Sequence, residues 1–435
     1  MKYDCLIIGG GIAGLTCGIK CLSEGLSCLL VSAGMSALHF SSGSIDLYGH
    51  FPDGKVVHDP FEALPGFLAA NPEHPYAKCG LETIAASLDF FREQVAREGR
   101  KLYSNERSNH FHVTMLGTLK PTFFSQESVF NDEIKAAFEN KPRIAILNFE
   151  GYRDFFPPLA AAGLARQSMF RDAAITTGTV RLPPIDPPGK NPHEVRSIDI
   201  GRLFDRERDL FFLAEEIKRA AGRADVVGLP ACIGLYRSGQ VMSRLREMTG
   251  KLIYETPTLP PSILGMRLDE ALKSRFTRLG GVFLAGDRVV GGMIADGRLD
   301  HVRTKNYGDL KLRAPHFVLA AGSFFSGGLI SAVDRMREPV FGLQLEYEPN
   351  RSRWYSPRFF DPQSHPFLSF GVKTDSNFNP WDESGRLVEN LFCVGAVLAG
   401  YDPVQEGSGG GTAVGAAFAV AERIAAAAGP KVRHD

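Results

Sequence analysis

The chain opens on a strand–turn–helix that few folds can accommodate. Tyr3 to Ile8 reads as a buried strand running into Gly9-Gly10-Gly11-Ile12-Ala13-Gly14 and then a helix. Gly9 permits the tight turn, Gly11 lets a pyrophosphate approach the backbone, and Gly14 lets helix pack on strand. Amides from Gly10 to Ala13 sit unpaired at the positive end of the helix dipole, where an anion is stabilised. Ile12, Leu15, Ile19 and Leu22 form an apolar stripe at helical spacing, Gly25 ends the helix, and Leu26 to Val31 forms a second strand. This is a complete βαβ opening, and its glycine turn is a phosphate cradle of the dinucleotide or flavin type.

An adenosine ribose is usually gripped by an Asp or Glu about 20 residues past such glycines. Here that position holds Ser32; Glu24 is still on the helix and Asp46 is well past the strand. The absence of an acid weakens NAD and FAD and leaves room for FMN.

At 435 residues and 44% hydrophobic content the chain is long enough for two domains with a substantial core. Lysine plus arginine and aspartate plus glutamate both number 49, so no net field favours nucleic acid or an anionic bilayer. No long apolar run and no basic-then-apolar leader is evident, so an intracellular chain without a direct membrane span is expected. The seven cysteines show no C-x-x-C spacing and read as reduced core residues, Cys17, Cys21 and Cys28 packing the first βαβ unit; no iron–sulfur cluster is assigned.

The second half returns to the same fold. Arg267 to Leu279 reads as an amphipathic helix, followed by Gly280 to Leu284 and an antiparallel ribbon through Gly297 and Asn306. Pro315 to Gly322 is a strand finishing on small residues, and Asn390 to Gly395 is another. After it come Gly407-Ser408-Gly409-Gly410-Gly411-Thr412 and a helix from about Ala413 to Ala428. Gly409, Gly410 and Gly411 leave amides bare at a helix start, which suits the negative charge of a reduced flavin at N1 and the C2 carbonyl; a run that merely allows a close loop is the other reading. A helix end worth ~1 kcal/mol to that anion would raise a two-electron potential by roughly 20 mV.

Between the halves, prolines pair at Pro157-Pro158, Pro183-Pro184 and Pro187-Pro188, and Ala214 to Ala221 is helical. The expected fold is α/β: a Rossmann-like flavin-binding domain, with a parallel sheet, helices on both faces and a small antiparallel ribbon, over residues 1–60, 256–330 and 386–435. An inserted α+β substrate or cap domain takes 61–255 and 331–385.

Further segments carry a resemblance. They are Ser36 to Ser44, Leu116-Gly117-Thr118-Leu119, Pro257 to Ser262 with Gly265-Met266-Arg267-Leu268, Ala321 to Gly328, Arg337-Glu338-Pro339 and the Gly407 to Thr412 run. With these the chain resembles the B subunits of the anaerobic glycerol-3-phosphate dehydrogenases, in the fumarate reductase and succinate dehydrogenase-like flavoprotein group. The resemblance implies FMN, with FAD as the alternative. It also implies two partners: a separate FAD-containing subunit, and a membrane-anchoring iron–sulfur subunit. The implied reaction is oxidation of sn-glycerol 3-phosphate to dihydroxyacetone phosphate with electrons passed to quinone, at the inner face of the cell membrane through those partners. The alternatives are a non-catalytic flavin protein that relays electrons, and a stand-alone fumarate reductase-like oxidoreductase.

Alcohol oxidation by a flavin needs a proton acceptor and cations for the phosphate. Arg267, Arg337 and Arg353 are candidates for the phosphate, since a guanidinium fork binds two oxygens at once. His39 is a candidate base, or a hydrogen-bonding residue of its own loop. Ser41, Ser42 and Gly43 suit the polar edge of a flavin, or an ordinary serine-rich turn. The cofactor set expected is Gly9, Gly11, Ile12, Ala13, Gly14, Ser32, Ser41, Ser42, Gly43, Gly322, Gly395, Gly409, Gly410, Gly411 and Thr412, with no metal.

Overall fold

A computed structural model describes residues 3–184, 191, 194–333 and 335–429; Pro187-Pro188 lies outside them. Contacts divide the chain into two compact units: Met1–Ala37, Ile45–Glu98 and Asp269–Asp435 form one, Leu38–Ser44 and Gly99–Leu268 the other.

The first unit is built on β1 (Cys5–Ile8), α1 (Ile12–Ser23), β2 (Cys28–Ser32), α2 (Leu81–Ala96), β3 (Val282–Ala285), β4 (His316–Leu319), β5 (Leu391–Cys393) and α3 (Gly409–Ala428). The five strands form one parallel sheet in the order β3-β2-β1-β4-β5. Every residue of β1, β2 and β5 is buried, the pattern of strands covered on both faces. Cys5 pairs with Cys28 on one side and His316 on the other. Cys5, Cys17, Cys21 and Cys28 are all buried free thiols, filling this βαβ unit as small apolar side chains.

Two expectations about this unit change. The helix expected from Arg267 runs Ile263–Arg278, and the Val282–Leu284 stretch after it joins the parallel sheet as β3, beside Leu29 to Ser32. Short apolar runs do not reveal their sheet partner; only Val289–Ala295 and Arg298–Thr304 form the antiparallel ribbon. Residues 61–98 and 331–385, expected in the inserted domain, group with the first unit. The reason for the former is packing: α2 buries Ile84, Leu88, Phe91 and Val95, and it lies against α3.

Among the described residues α3 alone is long and apolar enough to cross a membrane, yet 67% of its most apolar window is buried. Its partners are α1 and α2, and its alanine-rich surface lets them approach closely. It is the core helix of the unit.

The second unit has its own parallel sheet, with strands Leu252–Thr256, Val226–Pro230, Arg143–Phe149 and Ala174–Val180 in that order. The expected α+β character survives in two antiparallel ribbons, Leu102–Tyr103 with Ser125–Gln126 and His110–Val113 with Leu119–Thr122. The larger sheet is parallel because helices separate its strands, as with Glu207–Ala221 before Val226–Pro230. Phe138, Phe149, Phe170, Phe204 and Tyr254 fill its core.

Candidate functional site

At the head of β1 the three glycines do three different jobs. Gly9 has φ +116°, and a Cβ there would stand 2.2 Å from the Ala320 carbonyl oxygen at the end of β4. A Cβ on Gly14 would stand 2.0 Å from the Gly9 carbonyl oxygen. Gly11 is different: the one neighbour of a Cβ there is the Cβ of Ser36 at 3.9 Å. The open space of the turn is therefore at Gly11, the N-cap of α1, and no side chain caps that helix and no acid stands in its first turn. An anionic phosphate fits this opening; Ile12 and Ala13 follow it on the first turn.

The second glycine run reaches the same place. Gly395 has φ +75°, and a Cβ on it would stand 2.7 Å from the Cβ of Ala13 and 3.9 Å from that of Ala413. The starts of α1 and α3 thus meet at Gly395. Gly322, with φ +81°, closes a local turn over Ser326 just beyond β4.

The helix of the C-terminal run starts at Gly409, earlier than expected, and its amides are not all bare. Gly411 N–H donates to the Asp46 carbonyl at 2.9 Å, so that amide is spent within the protein. A Cβ on Gly411 would meet the Tyr76 hydroxyl at 2.2 Å, and one on Gly410 would meet the Asp46 nitrogen at 3.2 Å. These two glycines let α3 close onto residues 45–47, and Thr412 is fully buried. Tyr76 locks the junction by its hydroxyl, 2.8 Å from the Leu47 carbonyl and 3.2 Å from that of Ser408. Glu406 ties the approach: its carboxylate takes the Ser408 hydroxyl at 2.6 Å and the Asp402 N–H at 2.9 Å.

Ser32 is buried, its hydroxyl donates to the Gly34 carbonyl at 3.2 Å, and a Cβ on Gly10 would be 2.6 Å from its Oγ. The acid that the fold brings to this edge is distant in sequence and carries no local signal. Asp287 donates its N–H to the Ser32 carbonyl at 3.2 Å, but its buried carboxylate accepts the N–H groups of Arg288 at 2.8 Å and Asn306 at 3.0 Å. Burial pushes that carboxyl up, and hydrogen bonds from Thr304, Asn306, Arg288 and Lys305 outweigh it and hold it below the usual range. It serves the ribbon turn.

The loop after β2 belongs to the second unit from Leu38 to Ser44. Ser41 is consumed in its own turn, donating to the Leu38 carbonyl at 2.9 Å and accepting Gly43 N–H at 3.1 Å. Gly43, φ +68°, is glycine because a Cβ would stand 2.5 Å from that of Leu264. Ser42 and Ser44 are otherwise placed: their hydroxyls are 2.6 Å apart, and the Lys120 ammonium donates to Ser42 at 3.3 Å and Ser44 at 3.1 Å. Sequence reasoning does not single out Lys120; its signal is the Leu116 to Leu119 segment just before it. His39 is half-buried in the turn Ala37–Phe40, and its carbonyl accepts Ser262 N–H at 2.8 Å.

The first of the arginine candidates is already committed. Arg267 is fully buried, paired with Glu255 at 2.6 Å and 3.0 Å and donating to the carbonyls of Ile233 and Gly234. Its fork is satisfied within the second unit, which leaves nothing for a phosphate. Arg337 and Arg353 are exposed; Arg353 leans toward Glu348 at 3.9 Å.

Residues 4–412 match the family described as FAD binding domain. The chain is 41% identical over 427 residues to the B subunit of the anaerobic glycerol-3-phosphate dehydrogenase of Vibrio cholerae serotype O1, covering 98% of this chain and 97% of the relative. It is 42% identical over 429 residues to the protein of that name in Yersinia pseudotuberculosis serotype I, covering 98% of each. Among solved structures, the 3-ketosteroid delta1-dehydrogenase of Sterolibacterium denitrificans aligns over 98% of this chain and 100% of its own, at 12% identity and a TM-score of 0.44.

Proposed function

Since this chain belongs to the FAD binding domain family and, within it, to the B subunits of the anaerobic glycerol-3-phosphate dehydrogenases, we infer that it is the flavin-bearing subunit of such a dehydrogenase. It is part of an oxidoreductase, and the reaction is oxidation of sn-glycerol 3-phosphate to dihydroxyacetone phosphate. The observation that carries this is the close approach of Gly395 to Ala13 in the first turn of α1, with Ala413 of α3 beside it, which brings the N-terminal ends of the two helices together at the open Gly11 turn. A bound flavin supplies the two-electron acceptor.

The residues that would hold it are Gly9, Gly11, Ile12, Ala13 and Gly14 at the phosphate, with Gly322, Gly395 and Gly409 lining the approach. We take the flavin to be FMN, because Ser32 stands where a ribose acid is needed and Asp287 is bound to backbone amides. FAD is the second reading, favoured by the family the chain matches. For the substrate, Lys120 with Ser42 and Ser44 supplies a cation and two hydroxyls suited to a phosphate, and His39 is the group offered for the alcohol proton. The chain works with two partners. One is a separate FAD-containing subunit; the other is an iron–sulfur subunit that anchors the assembly at the cytoplasmic face of the membrane and delivers electrons to quinone.

Two measurements test this. Heat-released cofactor is weighed: the mass of FMN supports the reading of Ser32, and that of FAD replaces it. The purified chain is mixed anaerobically with glycerol 3-phosphate and absorbance followed at about 450 nm. Bleaching by this chain alone places oxidation here. Bleaching only with the FAD-containing partner present makes this chain a relay.

A further inference from the structure

The start of α3 holds a charge of the protein's own. Ser408 stands at the N-cap of that helix, yet its hydroxyl does not cap it; it donates to the Glu406 carboxylate at 2.6 Å. Asp402 N–H donates to the other carboxylate oxygen at 2.9 Å, and the His74 ring meets Glu406 through Nε2 at 3.1 Å. The Glu406 side chain is 13% exposed and that of His74 1%. The protonation of His74 follows from its second nitrogen. Tyr76 N–H donates to Nδ1 at 3.0 Å, so Nδ1 offers its lone pair, the ring proton stands on Nε2, and that proton points at Glu406. A doubly protonated ring would turn an N–H against the Tyr76 amide. His74 thus gives a hydrogen bond and no positive charge, and among the described residues no lysine or arginine pairs with Glu406.

The surroundings leave this anion unbalanced. His74 packs on the rings of Phe67, Tyr76 and Tyr401, with Tyr48 against Phe67. Burial first, and then the Glu406 charge, raises the hydroxyls of Tyr48 and Tyr401 above the ordinary phenol range, Tyr48 to about 12, so both keep their protons. Asp402, the other acid of the loop, accepts the N–H groups of Val404 and Gln405. The positive end of a helix amounts to about half an elementary charge, so a full carboxylate charge beside it reverses the sign of the local field. The glycine run at this helix start, read from the sequence as favouring a reduced flavin, stands next to a group that opposes one.

We propose that Glu406 holds the flavin of this chain at a lower reduction potential than the start of α3 alone would set, so that electrons taken from glycerol 3-phosphate pass onward. Oxidation breaks the C–H bond of the alcohol carbon, its electron pair leaving as hydride to the flavin, while the hydroxyl proton goes to a base and the carbon becomes the carbonyl; Glu406 opposes the negative charge gained on reduction. The proposal rests on this chain binding that flavin. The test measures the midpoint potential of the full chain carrying its flavin, by anaerobic equilibration with reference dyes, in wild type, Glu406→Gln and Ser408→Ala. Glu406→Gln keeps the shape and loses the charge, so reduced flavin should be favoured at least tenfold, a rise of about 30 mV for a two-electron couple. Ser408→Ala keeps the charge and removes a donor that disperses it, so the equilibrium should shift the other way by about threefold, the effect of one hydrogen bond. A role in shape alone would not move the two variants in opposite directions. Equal potentials in wild type and Glu406→Gln, or shifts of one sign in both variants, overturn the proposal and leave the proposed function intact. So does a folded Glu406→Gln protein without flavin, which would make the carboxylate a binding group. Should Glu406→Gln not fold, Ser408→Ala decides alone, and a potential at or above wild type overturns the proposal. If the wild-type chain holds no flavin, the proposal falls together with the function it rests on.

Discussion

Gly395 and Ala13 touch: a methyl group on Gly395 would stand 2.7 Å from the Ala13 Cβ, on a backbone with φ +75°. Ala13 is in the first turn of α1 and Ala413 opens the second turn of α3, so this one glycine spaces the two helices near their N-terminal ends. Gly395→Val meets both the contact and a left-handed backbone that costs a non-glycine residue about 1–2 kcal/mol. Flavin per chain, read from the visible absorbance of purified protein, should fall at least about tenfold, a loss of about 1.4 kcal/mol in binding. A folded Gly395→Val protein with full flavin would remove this junction from the site.

The glycines of the first turn should separate under substitution. Gly9→Ala puts a methyl 2.2 Å from the Ala320 carbonyl, so the protein should fail to fold. Gly11→Ala meets only Ser36 at 3.9 Å, so the fold should hold with a melting temperature within about 2–4 °C of wild type, the shift of roughly 1 kcal/mol in a domain of this size. Its methyl group would instead enter the space a phosphate needs, and flavin should be lost. Thermal melts paired with flavin content decide it, and flavin retained by Gly11→Ala would place the phosphate elsewhere.

What the sequence disclosed follows from how local each signal is. The glycine turn at Gly9 to Gly14 is a short pattern that does join a strand to a helix, and the strands expected before Gly322 and Gly395 form as His316–Leu319 and Leu391–Cys393. Arg267 illustrates the opposite: its partner Glu255 and the carbonyls of Ile233 and Gly234 lie 12 to 34 residues away, and no local pattern shows that its fork is used up. Gly410 and Gly411 have the right spacing for an anion site, yet their close neighbours, residues 45–47 and Tyr76, come from the other end of the chain. Lys120 carries no local signal because its hydroxyl partners Ser42 and Ser44 are 78 and 76 residues distant.

Arg267 is expected to matter for stability alone. Arg267→Met leaves the Glu255 carboxylate buried without its cation, and removing one partner of a buried pair costs about 3–5 kcal/mol. Denaturant unfolding should show that loss. Any folded Arg267→Met protein should keep the wild-type KM for glycerol 3-phosphate, and a KM raised tenfold with stability unchanged would restore Arg267 as a phosphate ligand.

Lys120 carries the opposite expectation. It lies on the strand Leu119–Thr122 with its ammonium on two hydroxyls, and hydrogen bonds to a charged group contribute about 1.5–3 kcal/mol. Lys120→Met should raise KM by about 10- to 100-fold with flavin content intact, with Lys120→Arg recovering part of the loss. Steady-state kinetics of the assembled dehydrogenase reads this directly, and an unchanged KM in Lys120→Met would leave Ser42 and Ser44 as a structural turn.

The pH dependence of the second unit should trace to Glu216. Arg181 grips its carboxylate at 2.6 Å and 2.9 Å, and Arg219 adds bonds at 2.7 Å and 3.1 Å, which together hold the carboxyl well below its ordinary range. A carboxyl depressed by folding contributes stability that is present above its unfolded value and lost as pH falls through the folded one. Glu216 sits on the helix Glu207–Ala221, and Arg181 directly follows the strand Ala174–Val180, so protonation loosens a helix from a strand end. The melting temperature of the wild-type chain should therefore decline as pH drops below about 4.5, more steeply than that of Glu216→Gln, which has no proton to take up. Both arginines are more than half exposed, so added salt should shrink the difference between the two proteins. Parallel acid melts of the pair, at low and high salt, would expose the assignment if the two curves ran together.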